Sequence, residues 1–427
     1  MKILIFAIGS RGDVQPYVVL GRELIARGHD VHIAAPPGYD DMIAAVGAVR
    51  HTLPADFQSM VNDPEIQSAI TSWRGRLRAY RLTADIMNEQ LSAIWRIGLD
   101  VAPDVILNHF KAALAPNLAR KLGAVSIPVM LQPGFVPTRA YPQFFFSSWS
   151  LGGFANLMTH RAILALTRFG TRLMIRRWLK QTGTDIGPPM DHMAAYSPHG
   201  SAPRVHAYSR IICPRPDEWP ATEVQTGYFF TESQPFEPPA GLSQFLEAEP
   251  QPLYVGFGSM PGIDPARTSR AVLGALARTG QRAVVATGWG GIRQMQSSDN
   301  VYVLDAVPHT WLFPKVAAVV HHGGSGTTHE ALRWGRPSIV CPVFADQPFF
   351  GRCVAELGAG PQPIAQKRLT EERLATALEF ALTDAVRRRA EAAGREIRSE
   401  NGTRRAADLI EHCCNDPGCR SSRHGAQ

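Results

Sequence analysis

The sequence predicts an α/β protein built from two Rossmann-like domains that face each other across a cleft. Three observations carry this. Short apolar runs alternate with helix-length amphipathic segments through the first 130 or so residues. A proline-rich polar break, TESQPFEPPAGLSQFLEAEPQP, occupies 231–252. The alternation then restarts. At roughly 100–200 residues per domain, 427 residues suit two or three units. Repeated β-α-β order implies parallel sheets covered on both faces.

In chain order, KILIFAIG (2–9) reads as the first buried strand and 16–28 as a helix ending at Gly28. DVHIAAP follows as a second strand. DVILNHF (104–110) and VSIPVML (125–131) bracket a helix over 111–122. Residues 135–200 break the rhythm with the aromatic stretch YPQFFFSSW and a long basic-apolar helix near 160–181. Beyond the break come LYVGFGS (253–259), a helix over 265–279, RAVVATG (282–288), VYVLDAV (301–307), VAAVVHH (316–322), a helix from about 326, and PSIVCPV (337–343). The expected domains are 1–230, a linker over 231–252, and 253–412. The last helix is expected to pack back on the first domain, and the tail 413–427 to be disordered.

Composition excludes several classes. Hydrophobic residues make up 45% and charged residues 19%, which suits large cores rather than disorder. The net charge of +7 and a pI near 9.2 favour anionic ligands or a membrane surface. No basic run interleaved with aromatics suggests nucleic acid. Cys213, Cys341, Cys353, Cys413, Cys414 and Cys419 form no C-x-x-C pair, so neither a zinc site nor a disulfide framework is expected, and a cytoplasmic setting is the simplest. MKILIFAIGS mimics a signal peptide, but no A-x-A-like site follows and Arg11 and Asp13 arrive at once. No apolar run approaches the length of a membrane span.

Three loops after strands share one chemistry: GSRGDVQP (9–16), GFGSM (256–260) and HHGGSGTT (321–328). Glycine and small hydroxyl residues between a strand and a helix let an anion approach backbone N–H groups at the helix start. None is a Walker A loop, and none fits G-x-G-x-x-G with an acidic residue at the required distance, so ATP hydrolysis and NAD chemistry are disfavoured.

HHGGSGTTHEALRWGRPSIVCPVFADQPFFGRCVAELGAGP (321–361) resembles the donor-binding signature of nucleotide-sugar-dependent glycosyltransferases with the two-domain GT-B fold. GSRGDVQPYVVLGRELIARGHDV (9–31) resembles the N-terminal motif of the branch that holds sterol glucosyltransferases and glycopeptide-antibiotic glycosyltransferases. TRAYP (138–142), CPRPDEWP (213–220) and VQTGYFF (224–230) are most similar to the sterol enzymes. The resemblance implies that His322 contacts the donor phosphates, that Gly324, Thr327 and Thr328 line the same pocket, and that Ser259 approaches from the FGS loop. It implies Glu330 at the ribose, Asp346 and Gln347 at the sugar hydroxyls, and Val307 at the base edge. Ser10 and Arg11 would steady the phosphate from the opposite domain. No D-x-D motif is present, so no metal and no other cofactor is expected. His321 reads as strand-end packing, His329 as helix surface, and Trp289 either flanks the base or fills the core.

Many relatives carry a histidine after strand one, oriented by an aspartate. Here Asp13 is the carboxylate best placed to take the acceptor proton, with His109 as the next candidate. An ordinary Asp, with a pKa of about 3.9, is a weak base, and partial burial would raise it. The alternative reading of Asp13 is a cap on the helix that follows. Phe135, Tyr141, Phe144 and Trp149 suggest an apolar acceptor pocket. The 160–181 helix, with Arg161, Arg168, Arg172, Arg176, Arg177 and Lys180, reads as an ordinary amphipathic helix or as an interfacial segment making weak peripheral membrane contact. The expected activity is inverting transfer of a sugar, glucose from UDP-glucose first among donors, to a hydroxyl of an apolar acceptor such as a sterol or polyketide-like aglycone. The rivals are a dTDP-sugar-dependent natural-product transferase, a sugar-nucleotide epimerase of the same fold and a non-enzymatic sugar-nucleotide-binding protein.

Overall fold

Strand β5 (Val125–Met130) is buried at every position, and so is β4 (Val105–Asn108). Strands with no polar alternation need cover on both faces, and this chain supplies it with helices. The structure, a computed structural model, describes residues 1–54, 73–147, 149, 152–232, 235–258, 264–288 and 296–415, with the backbone alone for 73–84 and 415.

The first half runs β1 (Lys2–Phe6), α1 (Arg11–Ala26), β2 (Asp30–Ala35), α2 (Asp40–Ala44), β3 (Val49–Thr52), α3 (Trp73–Val101), β4, α4 (Ala115–Leu122), β5, α5 (Gly152–Thr182), β6 (Arg204–His206) and β7 (Glu223–Gln225). The second runs α6 (Leu242–Glu247), β8 (Leu253–Gly256), α7 (Pro265–Thr279), β9 (Ala283–Ala286), β10 (Val301–Leu304), α8 (His309–Leu312), β11 (Val319–His321), α9 (Ser325–Arg333), β12 (Ser338–Val340) and α10 (Gln347–Glu356). Three more helices close it: α11 (Glu371–Ala381), α12 (Asp384–Ser399) and α13 (Gly402–Asn415).

The first sheet has the order β3-β2-β1-β4-β5-β6-β7 and the second β10-β9-β8-β11-β12, with every pairing parallel. In each sheet the order reverses beside the first strand. The switch points therefore lie between β1 and β4 and between β8 and β11. Open parallel sheets bind ligands in the crevice beyond the strand ends at such points. The loops singled out from sequence follow β1, β8 and β11, so topology alone sends all three there.

Apolar side chains of α1 and of α13 (Ala406, Ala407, Ile410) cover one face of the first sheet. Helices α3 and α4 cover the other. A further cluster joins the halves, with Val136, Tyr208, Ile212 and Trp219 packed against Leu332, Phe349, Phe350 and Ile397. Leu242 is fully buried in the second half's core, so 242–252 packs on that half rather than hanging free. Residues 413–415, expected in a disordered tail, complete α13, and Cys413 and Cys414 lean on the first core. Residues 416–427 lie outside the described residues.

Candidate active site

The helix after β1 starts at Arg11, not at Pro16, which lies in its second turn. Ser10 is the N-cap and Asp13 the third helical residue, the spacing of a capping box. Asp13 Oδ2 accepts from the Ser10 backbone N–H (2.9 Å) and hydroxyl (3.1 Å). Gly9 makes this possible. Its φ is +142°, and a Cβ there would stand 2.2 Å from Asp13 Oδ2.

From across the switch point, His109 Nε2 stands 3.6 Å from Asp13 Oδ1 and Lys111 Nζ 3.7 Å from Oδ2. The Lys111 backbone N–H donates to His109 Nδ1 (3.4 Å), which leaves the ring proton on Nε2, facing the carboxylate. Burial alone would raise the Asp13 carboxyl. The Lys111 ammonium, His109 and the Ser10 N–H more than offset it and hold the group well below the usual carboxylate range. The expectation that burial tunes Asp13 upward is thus corrected: cation and donors win. Burial pushes His109 down, so it faces Asp13 as neutral imidazole. The carboxylate stands after β1, and the histidine after β4 is the more deeply buried of the two.

In the second half, β11 ends at His321 and the chain turns through Gly323 (φ +91°) into α9, with Gly324 as N-cap. A Cβ on Gly324 would meet His322 Nε2 at 2.4 Å, and one on Gly258 would meet Cε1 at 2.9 Å. The glycines of both loops therefore make room for the His322 ring as well as for an anion. Burial lowers His322 to about 4, so it is neutral at pH 7, and its Nδ1 has no hydrogen-bond partner among the described residues. Thr327 is half-buried, and Thr328 is buried with its hydroxyl donating to Gly324 O (2.9 Å). Val307 is buried in an apolar cluster. Glu330 is buried and already accepts from Trp334 Nε1 (2.7 Å), so a ribose would share it with the indole. Gln347 is buried, with its side-chain oxygen accepting from the Val343 N–H (2.8 Å). Ala345, just before Asp346, has φ +57°, a strained setting for a residue with a side chain. Burial and the facing charge of Asp13 raise Asp346 to about 7. Ser259 and Trp289 lie outside the described residues.

Contacts bring the two loop clusters to one cleft. The Ser325 hydroxyl, at the start of α9, donates to Leu131 O beyond β5 (3.3 Å). Tyr228 stacks on His329 at 4.4 Å. His329 is fully buried, not surface: its Nε2 accepts from the Ser209 N–H of the first half (3.0 Å). His321 is fully buried, with Nδ1 accepting from the Gly323 N–H (3.1 Å), as strand-end packing requires. Arg11 is exposed and bonds Gln15 (3.1 Å), and its charge helps burial lower His309 across the cleft to about 4.

A row of rings leads away from Asp13. His109 lies 4.4 Å from Phe110, Phe110 4.5 Å from Phe135, and Phe135 6.5 Å from Phe144. Two expected pocket residues are elsewhere. Tyr141 packs in the cluster between the halves, 5.2 Å from Phe349, because the backbone that carries it is tied to the CPRPDEWP loop by the Thr138 hydroxyl donating to Glu218 (2.6 Å). Trp149 is 55% exposed against Phe146, since Arg352 holds the preceding Ser147 carbonyl at the cleft edge (2.6 Å). Sequence reasoning missed Gly9, Phe110, Lys111, Ser209 and Tyr228. The adjacency of Phe110 and Lys111 to His109 was an available signal, and the others depend on tertiary contact.

Two parallel sheets with paired loop clusters at their switch points define the GT-B class. Solved structures of the same fold include the calicheamicin glycosyltransferase CalG4 (22% identical, TM-score 0.68, covering 96% of this chain and 98% of that one). The glycotransferase of kitacinnamycin is another (23% identical, TM-score 0.67, 96% and 98%). Residues 3–123 match the Glycosyltransferase family 28 N-terminal domain, and 270–412 match the C-terminal domain of Erythromycin biosynthesis protein CIII-like proteins. The chain belongs to the GT-B glycosyltransferases that combine these two domains. It is 29% identical to a sterol 3-beta-glucosyltransferase of Arabidopsis thaliana over 94% of its own length and 64% of that protein's. It is 30% identical to one of Pichia angusta over 96% and 33%. It thus spans less than two thirds of the length of either relative.

Proposed function

We propose that the protein is an inverting glycosyltransferase that moves a sugar from a nucleoside diphosphate sugar to a hydroxyl of an apolar small molecule. The observation that carries this reading is one cleft with the Asp13–His109–Lys111 cluster on its first-half side and the glycine-lined start of α9 beside His322 on the other, joined by the Ser325 hydroxyl on Leu131 O. Asp13 orients the acceptor hydroxyl and takes its proton as the hydroxyl oxygen bonds to the anomeric carbon. The bond to the diphosphate breaks on the opposite face. A carboxylate held this acidic is a weak base, so it acts late, once the hydroxyl is sharing its electrons with the sugar. Asp346 and Gln347 hold the sugar hydroxyls. The α9 N-terminus and the neutral His322 donate to the departing diphosphate, where charge grows in the transition state. These donors stand in for a metal ion. His109 positions Asp13.

Phe110, Phe135 and Phe144 form the apolar approach for the acceptor. The sterol 3-beta-glucosyltransferase relatives favour a sterol-like acceptor and glucose from UDP-glucose. A dTDP-sugar donor is the second reading, favoured by the fold's likeness to the glycosyltransferase VinC, solved in complex with dTDP (19% identical, TM-score 0.64). Mass spectrometry and proton NMR of products from UDP- and dTDP-sugars with sterol, macrolide, glycopeptide and flavonoid acceptors, with and without EDTA, test the whole reading. The expected result is a glycosylated sterol-type product with inverted anomeric configuration, formed equally in EDTA. A turnover lost in EDTA and restored by magnesium or manganese would contradict the metal-free mechanism. A retained configuration, or an epimerised donor without transfer, would overturn the reading itself.

A further inference from the structure

Helix α5 is about 46 Å long at 1.5 Å per residue, yet it buries only Asn156, His160, Leu164, Ile175 and Trp178. Its outward face is apolar at first. Phe154 (69% exposed), Leu166 (66%), Phe169 (66%) and Leu173 (55%) fall within one third of the helix circumference at 100° per residue. Arg172, Arg176 and Lys180 continue that face toward the C-terminus in steps of four, and Arg161 flanks it; all four are exposed. The helix has no Asp or Glu in 31 residues. The basic residues on the flanks of the helix are paired: Arg168 Nε lies 2.8 Å from Asp191 and Arg177 3.5 Å from Asp85. The four outward ones have no ion pair among the described residues. Phe145 (59%) and Trp149 (55%), on the loop leading into α5, add exposed rings.

We propose that this face docks on an anionic lipid bilayer, with α5 lying in the plane of the headgroups. Its large apolar side chains enter the upper acyl region while the basic ones meet lipid phosphates. Charge complementarity selects this occupant. A second copy of the chain would bring four more cations against the four already there. A nucleic acid would leave four large apolar side chains against a phosphate backbone. No helix among the described residues is long and apolar enough to cross a membrane, so the contact is peripheral. If the acceptor is apolar, as proposed above, docking also brings the Phe144–Phe145 end of the ring row to the lipid. The docking itself does not depend on that reading.

The test is co-sedimentation of the full chain with vesicles of phosphatidylcholine alone and of phosphatidylcholine with phosphatidylglycerol, at low and physiological salt. Turnover is not needed for it, so a failed assignment of the reaction leaves it intact. The expected result is binding to the anionic vesicles only, weakened by salt. Joint replacement Arg172→Gln, Arg176→Gln and Lys180→Gln is expected to weaken it roughly a hundred-fold, at about five-fold per charge. Leu166→Gln with Phe169→Gln is expected to lose it at either salt. All five side chains are exposed, and unchanged melting curves would establish that both variants fold. Absent binding at both salts, equal binding to pure phosphatidylcholine, or binding unchanged in both variants would overturn the proposal. So would a wild-type dimer in light scattering that the apolar pair of substitutions dissolves.

Discussion

The helix cap and the proposed general base, which the sequence presents as alternatives, fall on one carboxylate, that of Asp13. As the third residue of α1 it accepts from the N-cap Ser10, and with its other oxygen it faces His109. The substitution Asp13→Asn separates them. The amide oxygen can still accept at the helix start but cannot take a proton at neutral pH. Turnover is expected to fall by about two to four orders of magnitude with donor affinity nearly unchanged. The carboxyl is depressed in the folded state, so its ionic contribution to stability is present above the unfolded value near 4 and is lost as pH falls below it. The variant should therefore melt below wild type at pH 7, with the gap closing in acid. Near-wild-type turnover would move the base elsewhere. His322→Ala tests the donor side. Its ring is neutral, so it offers a hydrogen bond rather than a full charge. Removing one such donor costs about 10²–10³ in turnover. Steady-state rates at saturating acceptor check this, and an unchanged rate would exclude His322 from the diphosphate.

At the scale of elements, legibility followed length and pattern. The helix expected over 265–279 spans Pro265–Thr279, because Asp264 caps it, Pro265 opens it and Gly280 closes it in a left-handed turn. The β11–α9 loop was legible for a similar reason: an apolar run stops at histidine and glycines follow. Strands β3 (VRHT), β6 (RVH) and β7 (EVQ) escaped notice, being three or four residues long with polar side chains. Their polarity has tertiary causes. His206 sits between Glu223 (2.8 Å) and the Trp219 ring (4.7 Å), a buried network that no local pattern announces. The sequence CCNDPGCRSSRHGAQ (413–427) reads as a disordered tail. Yet α13 is pinned by Arg27 of the first half, which bonds Asp408 (2.7 Å) and Glu411 (2.8 Å). The positions of candidate residues were legible where the pattern is local, as for His322 and Asp13 on the loops after β11 and β1. They were not where a partner decides the state, as when Lys111 makes Asp13 more acidic rather than less.

For the whole molecule, folding buries ionisable groups that water would otherwise hold, and this gives stability a two-sided pH dependence. Burial depresses His192, His309, His322 and His329 to about 4 each. Between their ordinary value near 6.5 and about 4, the unfolded chain binds protons that the folded chain refuses. Their contribution is complete above pH 6.5 and is lost as pH falls toward 4. Asp346 has the opposite sign. Its folded value near 7 lies above the unfolded one, so stability declines as pH rises from about 4 to 7 and the carboxylate is forced to ionise opposite Asp13. Four histidines outweigh one aspartate, so the wild-type melting temperature should fall from pH 7 to pH 4.5. Asp346→Asn removes only the opposing part. That variant should melt above wild type at pH 8, converge with it below about pH 4, and lose stability more steeply between. A lower melting temperature at pH 8 would mean that Asp346 carries a structural bond worth more than its repulsion from Asp13. A higher one, together with a loss of sugar transfer, would mean that the cleft holds two carboxylates against their mutual repulsion because the sugar and the proton each require one.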